Sequence, residues 1–456
     1  MKEGYFELGE AKGIAFLIIG SIFAALFLIL KNKKILSELV PADLFDFAAL
    51  TFLFSNLVSF AFSIDKKISF FGLEGWRTGL LCAFILFICL LCYREADEMN
   101  EYLVMAALIT PCFEFVMGIF NRFGVNFMDI YGKNNSFLAT IGNINWYAGF
   151  LCVFVPLGVG ICYSEKEISK KFFFSGIYSY IGLIALFLQG SDSALLILAG
   201  TYIPLLLIAL EERQSFKRYL FQLATLGFSM ETVYFLMLFS KNHYNYEESL
   251  IMSLPKGHHG LIILAAAFFF YRLTKLFEEI KAVWRGKLFL KISIAVILLA
   301  VVAAVIWLIR FSDYSFGNGR GLIWSISVDM YGTLSPWQKL VGVGQDCYCA
   351  YAYSHPEIAD SLLNVFPGNI LTNAHCELLT ILMERGLLGL FSYLFLMGSA
   401  FYLLYKNKRK SAVVICALPV LAYLFNGLVS FSTPVSTPYI FILLGMGAGF
   451  CRQGTN

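Results

Sequence analysis

A chain of 456 residues that is 59% hydrophobic, 17% aromatic and only 14% charged lacks the makeup of a soluble domain, in which about 25% of residues are charged. Its formal net charge is +3, and no basic stripe is interleaved with aromatics, which excludes a nucleic-acid partner. Lipid is the main solvent, so counting aqueous domains by length does not apply.

A membrane-crossing helix needs about 20 mostly apolar residues. In chain order, such runs lie at 13–30, 44–62, 77–93, 101–120, 141–163, 172–189, 193–210, 219–239, 258–270, 292–309, 375–404, 411–430 and 438–450. They predict an all-α fold, a polytopic transmembrane helical bundle of about 12–13 spans. The leader "MKEGYFELGEAKG" holds acids as well as bases, and no small-residue cleavage site follows. The first run therefore reads as a span and not as a cleaved signal. Only "QGSDS" separates the runs at 172–189 and 193–210, which implies a tight re-entry.

Lys and Arg set the orientation, because cytoplasmic loops hold the excess. With "KNKK" at 31–34 placed inside, strict alternation puts most Lys and Arg inside, although the outer segments are longer. The expectation is a multi-pass protein of the cytoplasmic (inner) membrane. Its longest hydrophilic segment, 311–373, is a large outward loop containing short helices. All five histidines, His243, His258, His259, His355 and His375, fall on or near that outer side. No internal repeat is visible, which weighs against transporters built from inverted halves.

Of the 11 cysteines, most lie in or beside apolar runs as small core residues. Cys347, Cys349 and Cys376 lie elsewhere, but their spacing matches no metal pattern. Neither a metal site, a cofactor nor a disulfide framework is expected.

Ionisable residues inside a membrane are costly and mark function by default. Several gather at the outer ends of spans. "FGLEGWRTGLL" carries Glu74 and Arg77; Arg77 reads equally as an interfacial anchor or as a ligand group. "TIGNINWYAGF" carries Asn143 and Asn145, which read as interhelical hydrogen-bonding groups or as site residues. "LQGSDSALL" carries Asp192. In "GNGRGLIWSISVDMYG", Arg320 and Trp324 are four apart and share a helical face. Leu322, Ile326 and Met330 make an apolar face, so this segment reads as a short amphipathic helix on the membrane surface. "VGVGQD" at 341–346 is a glycine turn without the ending a phosphate loop needs.

The stretch "NAHCELLTILMERGLLGLF" from 373 is the richest. Asn373 reads as an N-cap, which places His375 at the second helical position. The positive end of a helix disfavours imidazolium, and partial desolvation at the lipid boundary pushes the same way, so His375 is expected to be neutral and able to take a proton from a hydroxyl. Glu377 suits a first helical turn, while Glu384 and Arg385 lie deeper and read as partners of other spans or as lining for a wet cavity.

These stretches together resemble the O-antigen ligase and O-antigen polymerase family of membrane glycosyltransferases. "NAHCELLTILMERGLLGLFSYL", "GRGLIW" and "FLATIGNINWYAGFL" carry the likeness through their order and spacing on a polytopic chain. The family-like part covers about 180–400, including the loop 311–373, with transmembrane helices before it (1–179) and after it (401–456). The resemblance implies inverting transfer of a glycan from a polyprenyl-diphosphate-linked oligosaccharide donor to a hydroxyl of a glycan or glycolipid acceptor. Transfer would occur at the outer face of the bilayer, without a nucleotide sugar or an obligatory metal. It further implies that His375 is the base and that Arg320 engages the diphosphate. Where the family often has Ser-Arg-Gly, this chain has Ser191-Asp192-Ser193. Arg77 or Arg385 is then a candidate for the missing charge, beside Asn143, Asn145, Asp192, Trp324, Glu377 and Glu384 as candidate substrate-binding residues. Ligase and polymerase are not separated by sequence. A flippase of lipid-linked glycans and a non-catalytic membrane protein are the competing readings.

Overall fold

A computed structural model describes residues 5–31, 43–95, 101–127, 137–240, 244, 249–276, 316–366 and 370–452. The apolar run at 292–309 and His243 lie outside the described residues. Among those described, the fold is all-α. In chain order the elements are α1 (Tyr5–Lys31), α2 (Leu44–Ala61), α3 (Lys66–Phe71), α4 (Leu80–Arg94) and α5 (Glu101–Arg122). A two-stranded antiparallel pair follows, β1 (Phe137–Leu138) and β2 (Gly142–Asn143), with Phe137 opposite Asn143. Then come α6 (Ile144–Ser164), α7 (Lys170–Leu188), α8 (Ser193–Ala209), α9 (Arg213–Phe239), α10 (Leu250–Lys256) and α11 (His259–Leu276). The segment expected as the large loop holds four helices: α12 (Phe316–Thr333), α13 (Pro336–Val341), α14 (Tyr348–Ser354) and α15 (Pro356–Val365). The chain continues with α16 (Glu377–Lys406), α17 (Ser411–Asn426) and α18 (Thr437–Arg452).

The protein is a multi-pass membrane protein. Among the described residues, seven helices are long and apolar enough to cross a bilayer: most of α1, α2, most of α5, α6, α7, α9 and α16. A bent pair, α10 with α11 at 67°, makes an eighth if it is one span. The runs behind α4, α8 and α17 form shorter apolar helices. At about 1.5 Å per residue, a helix of some 16 residues reaches roughly 24 Å, short of a core about 30 Å thick.

Local chemistry explains the element boundaries. Asp43, Asp65 and Ser169 cap α2, α3 and α7 through their side chains, and Ser335 with Gln338 forms a capping box on α13. Each supplies an acceptor for an orphan amide of the first turn. Prolines 111, 156, 204 and 419 sit inside α5, α6, α8 and α17, as membrane helices tolerate when neighbours satisfy the freed carbonyls.

The chain divides into two compact units. The first comprises 1–98, 313–407 and 427–456; the second comprises 99–312 and 408–426. In the first unit, Lys31 pairs with Glu95, while Arg94 and Arg452 both reach buried Asp46, at 2.6 and 2.8 Å. At the opposite end Glu10 meets Arg77. These pairs fix α1, α4 and α18 as parallel and α2 as running the other way. Cys451 also donates to Leu403 O, so α16 ends beside α18 and runs with it. Asp46 needs two cations because a lone buried carboxylate carries a heavy desolvation cost.

In the second unit, small residues let helices approach closely. A Cβ on Gly200 in α8 would lie 2.8 Å from Ala422 Cα of α17, and one on Gly160 in α6 would lie 3.2 Å from Ile415 Cα. Gly227 and Gly260 do the same for α9 and α11. At the bend between α10 and α11, the buried Glu231 carboxylate accepts from the Leu261 amide and faces His258 Nδ1, each at 3.0 Å.

Candidate functional site

The first unit's α16 is a broken helix. Gly386 has φ 65° and ψ −166° in its middle, a backbone region essentially restricted to glycine. The break frees the carbonyls of Met383 and Glu384. The turn at 341–346 fills the gap, with Val343 N donating to Met383 O (3.1 Å) and Gly344 N to Glu384 O (2.8 Å). Ser59 also donates to Glu384 O at 2.8 Å. Here "VGVGQD" is a packed plug for a helix break.

The same turn aims Asp346 at the loop that leads into α4. Its carboxylate accepts from Leu73 N (2.9 Å), Thr78 N (2.8 Å) and Thr78 Oγ1 (2.5 Å). Burial nonetheless pushes the Asp346 carboxyl above its ordinary range, against these hydrogen bonds and the Arg385 charge. Gln345 is fully buried; its amide donates to Asn56 O at 2.7 Å and accepts from Ser69 at 2.8 Å.

Against this plug lies a polar cavity of about 30 Å³, comparable to the share of one water in the liquid (about 30 Å³). Thr78, Asp346, Asn373, Glu377, Glu384 and Arg385 contribute to its lining. Ser432 of the 427–436 segment donates its hydroxyl and its amide to the buried Glu377. The Glu377 amide donates to Gly427 O at 2.8 Å. Arg385 is answered electrostatically by Asp346, Glu377 and Glu384, and its guanidinium lies 5.7 Å from the Phe52 ring.

His375 is not at the second helical position. The helix begins at Glu377 with Cys376 as N-cap. His375 lies two residues earlier with φ 48°, and the Asn373 side chain accepts from the His375 amide itself at 3.0 Å. Asn373 thus shapes a left-handed turn and does not cap the helix. Of the two causes expected to keep the imidazole neutral, desolvation is present and the helix end is not. Burial pushes the ring down to about 4, and the Arg320 guanidinium beside it adds to the effect. The Phe431 ring stands edge-on to it at 5.1 Å, and Trp76 stands edge-on to Phe431 at 4.9 Å.

Arg320 and Trp324 lie on α12 as the spacing predicts. The buried stripe of α12 is Ile323, Ser327 and Met330, with Leu334 just beyond it; it shares Met330 with the expected face, Ile326 packs against the same core, and Ile323 takes the place of Leu322. The stripe packs on Tyr348, Tyr351 and Leu362 of the following helices, so α12 spends its apolar face within this unit. Ser327 and Tyr348 share a hydrogen bond of 2.8 Å beneath it.

Arg77 has a structural employment. Its Nε lies 3.0 Å from both Glu10 oxygens, its Nη2 closes the pair, and Glu10 also accepts from Gly75 N at 2.7 Å. Three more candidates belong to the second unit. Asn143 is the N-cap of α6 and accepts from Asn145 N at 2.8 Å. Asp192 accepts from Ile251 N at 2.9 Å and so caps α10.

Sequence reasoning missed Arg122. It is 1% exposed, and its Nη2 donates to Gln189 O, at the turn that holds Ser191-Asp192-Ser193. A cation therefore does stand at this turn, contributed by the end of α5. The only hint was a lone Arg closing the apolar run "GIFNRFG". Glu10, Asp346, Phe431 and Ser432 were likewise unread.

Among the described residues, no group of three His, Cys, Asp or Glu could hold a metal. Comparison with known proteins finds no family model that matches the sequence and no curated protein that matches it.

Proposed function

We propose that the protein is a membrane glycosyltransferase that moves a glycan from a polyprenyl-diphosphate carrier to a sugar hydroxyl. The observation that carries this reading is His375, a neutral imidazole in a constrained turn, with the Arg320 cation beside it. A neutral base and a guanidinium suit a reaction that removes a proton from a nucleophile and releases an anion.

In this reading the imidazole takes the proton of the acceptor hydroxyl. The oxygen attacks the anomeric carbon of the donor, the bond from that carbon to the diphosphate breaks, and the lipid diphosphate leaves with the electron pair. Arg320 steadies that charge through charge-assisted hydrogen bonds. A base with a pKa near 4 is weak at neutral pH. A bound diphosphate offsets the Arg320 charge and raises the imidazole, so the base strengthens when the donor is in place. Neither His375 nor Arg320 lines the small polar cavity beside α16, so the reacting sugar is not placed in it. The bilayer face on which this occurs is the outer one, by the Lys and Arg bias.

The test is reconstitution in liposomes with lipid-linked oligosaccharide and a glycan acceptor. Appearance of elongated or newly attached glycan, with release of lipid diphosphate, supports the reading; an intact donor after prolonged incubation sinks it.

One observation favours a second reading, transport of the lipid-linked glycan. The broken α16, with irregular backbone beside a polar cavity, resembles the interrupted helices of transporters. Donor that changes leaflet without losing its glycan would favour that alternative.

A further inference from the structure

A second cavity, of about 610 Å³, opens in the first unit between the start of α3, the end of α12, α13 and α14. Its volume lies within the roughly 300–1,000 Å³ of small-molecule sites. Asp65, Thr333, Gln338, Tyr351 and His355 are among its lining residues. Nothing in the proposed chemistry uses it.

The hydrogen-bonding capacity of this lining is partly committed, and what remains is specific. Asp65 Oδ1 accepts from Ile68 N at 2.9 Å, leaving Oδ2. His355 Nδ1 lies 2.9 Å from Tyr351 O, a carbonyl that can only accept. In the neutral ring Nδ1 therefore carries the proton, which leaves Nε2 as an acceptor. Gln338 Oε1 accepts from Ser335 N and Oγ at 3.2 and 3.0 Å, so its amide hydrogens face outward as donors. The Tyr351 ring lies against His355 with centroids 4.3 Å apart and planes tilted by 37°, and its hydroxyl shares a hydrogen bond of 3.0 Å with Thr333 Oγ1. The cavity thus has two acceptors and a pair of donors.

Among the described residues, no Lys or Arg lines it, and Asp65 gives it a negative charge. An anionic ligand is disfavoured. Donors and acceptors side by side suit the hydroxyls of a sugar, each of which can both donate and accept. Thr333 is 13 residues beyond Arg320 on the same continuous helix, about 20 Å at 1.5 Å per residue.

We infer that this cavity is a saccharide subsite that holds an uncharged part of the glycan about 20 Å from the Arg320 end of α12. The inference rests on the glycosyl-transfer reading for the identity of its ligand, but its binding chemistry is independent of His375. A distal grip of this kind selects the glycan by sugars remote from the reacting bond.

The probe is the oligosaccharide released by mild acid from the host's lipid-linked precursor, titrated into the full-length protein in nanodiscs. Asp65→Asn keeps the helix-capping oxygen and removes the charge. Gln338→Glu keeps the capping box and removes the donors. The double variant is expected to bind the probe at least tenfold more weakly, while His375→Gln binds within twofold of wild type and pyrophosphate does not compete. Wild-type affinity in the double variant, no binding to wild type, or displacement by spermine in place of sugar would each overturn the subsite. Loss of binding in the double variant, with the lipid-linked donor left intact by the wild type after prolonged incubation, would uphold the subsite and remove the transfer reading. The reverse pattern would remove the subsite alone.

Discussion

Gly386 and Gly342 meet backbone to backbone: a Cβ on Gly386 would lie 2.6 Å from the Gly342 nitrogen and 2.4 Å from the Leu340 carbonyl carbon. One on Gly342 would lie 2.1 Å from Glu384 O. The break in α16 and the turn that plugs it therefore exist only together. Gly386→Ala must strain a φ of 65° and push the turn away, at a cost of at least about 3 kcal/mol. The expected result is a marked drop in melting temperature in detergent, with loss of any His375-dependent activity. An unchanged melting temperature would show that the plug can be shed freely.

The two arginines near the site have separable roles. Arg77→Ala removes the partner of Glu10 and is expected to lower thermal stability without weakening a polyprenyl-diphosphate analogue. Arg320→Ala is expected to weaken that analogue by about tenfold or more, the scale of a lost hydrogen bond to a charged group. Equal affinities for the analogue in both variants would contradict the division.

Arg385 is expected to behave as a structural cation. Arg385→Ala leaves Asp346, Glu377 and Glu384 facing one another without their shared counter-charge, and removal of one partner from a buried set costs about 3–5 kcal/mol. Destabilisation is the expected readout, measured by melting in detergent. A stable Arg385→Ala protein that fails to bind the diphosphate analogue would instead make it a ligand residue.

His375 also gives a pH signature. Its folded pKa of about 4 lies below the ordinary histidine value, so the unfolded chain binds the extra proton first as pH falls. Its contribution to stability is complete above about pH 6.5 and is lost as pH drops toward 4. The slope is at most about 1.4 kcal/mol per pH unit, less for a ring partly open to solvent. His375→Gln should flatten the fall in melting temperature across that window. The same fall in both proteins would mean that the imidazole is not held neutral.

Much of the fold was legible because lipid imposes long apolar runs. Every run among the described residues forms a helix, and "GNGRGLIW" and Glu377 fall on helices as read. The site's finer geometry was not legible, for identifiable reasons. Asn373 reads as a helix cap in sequence, but here the same side chain holds the left-handed His375 turn. Gly386 lies in "MERGLLGLF", which has the period of an unbroken helix; only the distant turn at 342–344 shows that it is a break. Glu10 and Arg77 are far apart in sequence, as are Arg122 and Gln189. Local pattern carries no information about such pairings. Asp192 drew notice for its charge, whereas its observed role, capping α10, depends on where Ile251 arrives.

The most direct test is turnover in proteoliposomes containing lipid-linked oligosaccharide and acceptor, wild type against His375→Gln, with donor affinity measured in parallel. A general base typically contributes about 10²–10⁴ in rate. The expected result is a loss of that size in His375→Gln with donor affinity retained. Full turnover in His375→Gln would contradict the central claim.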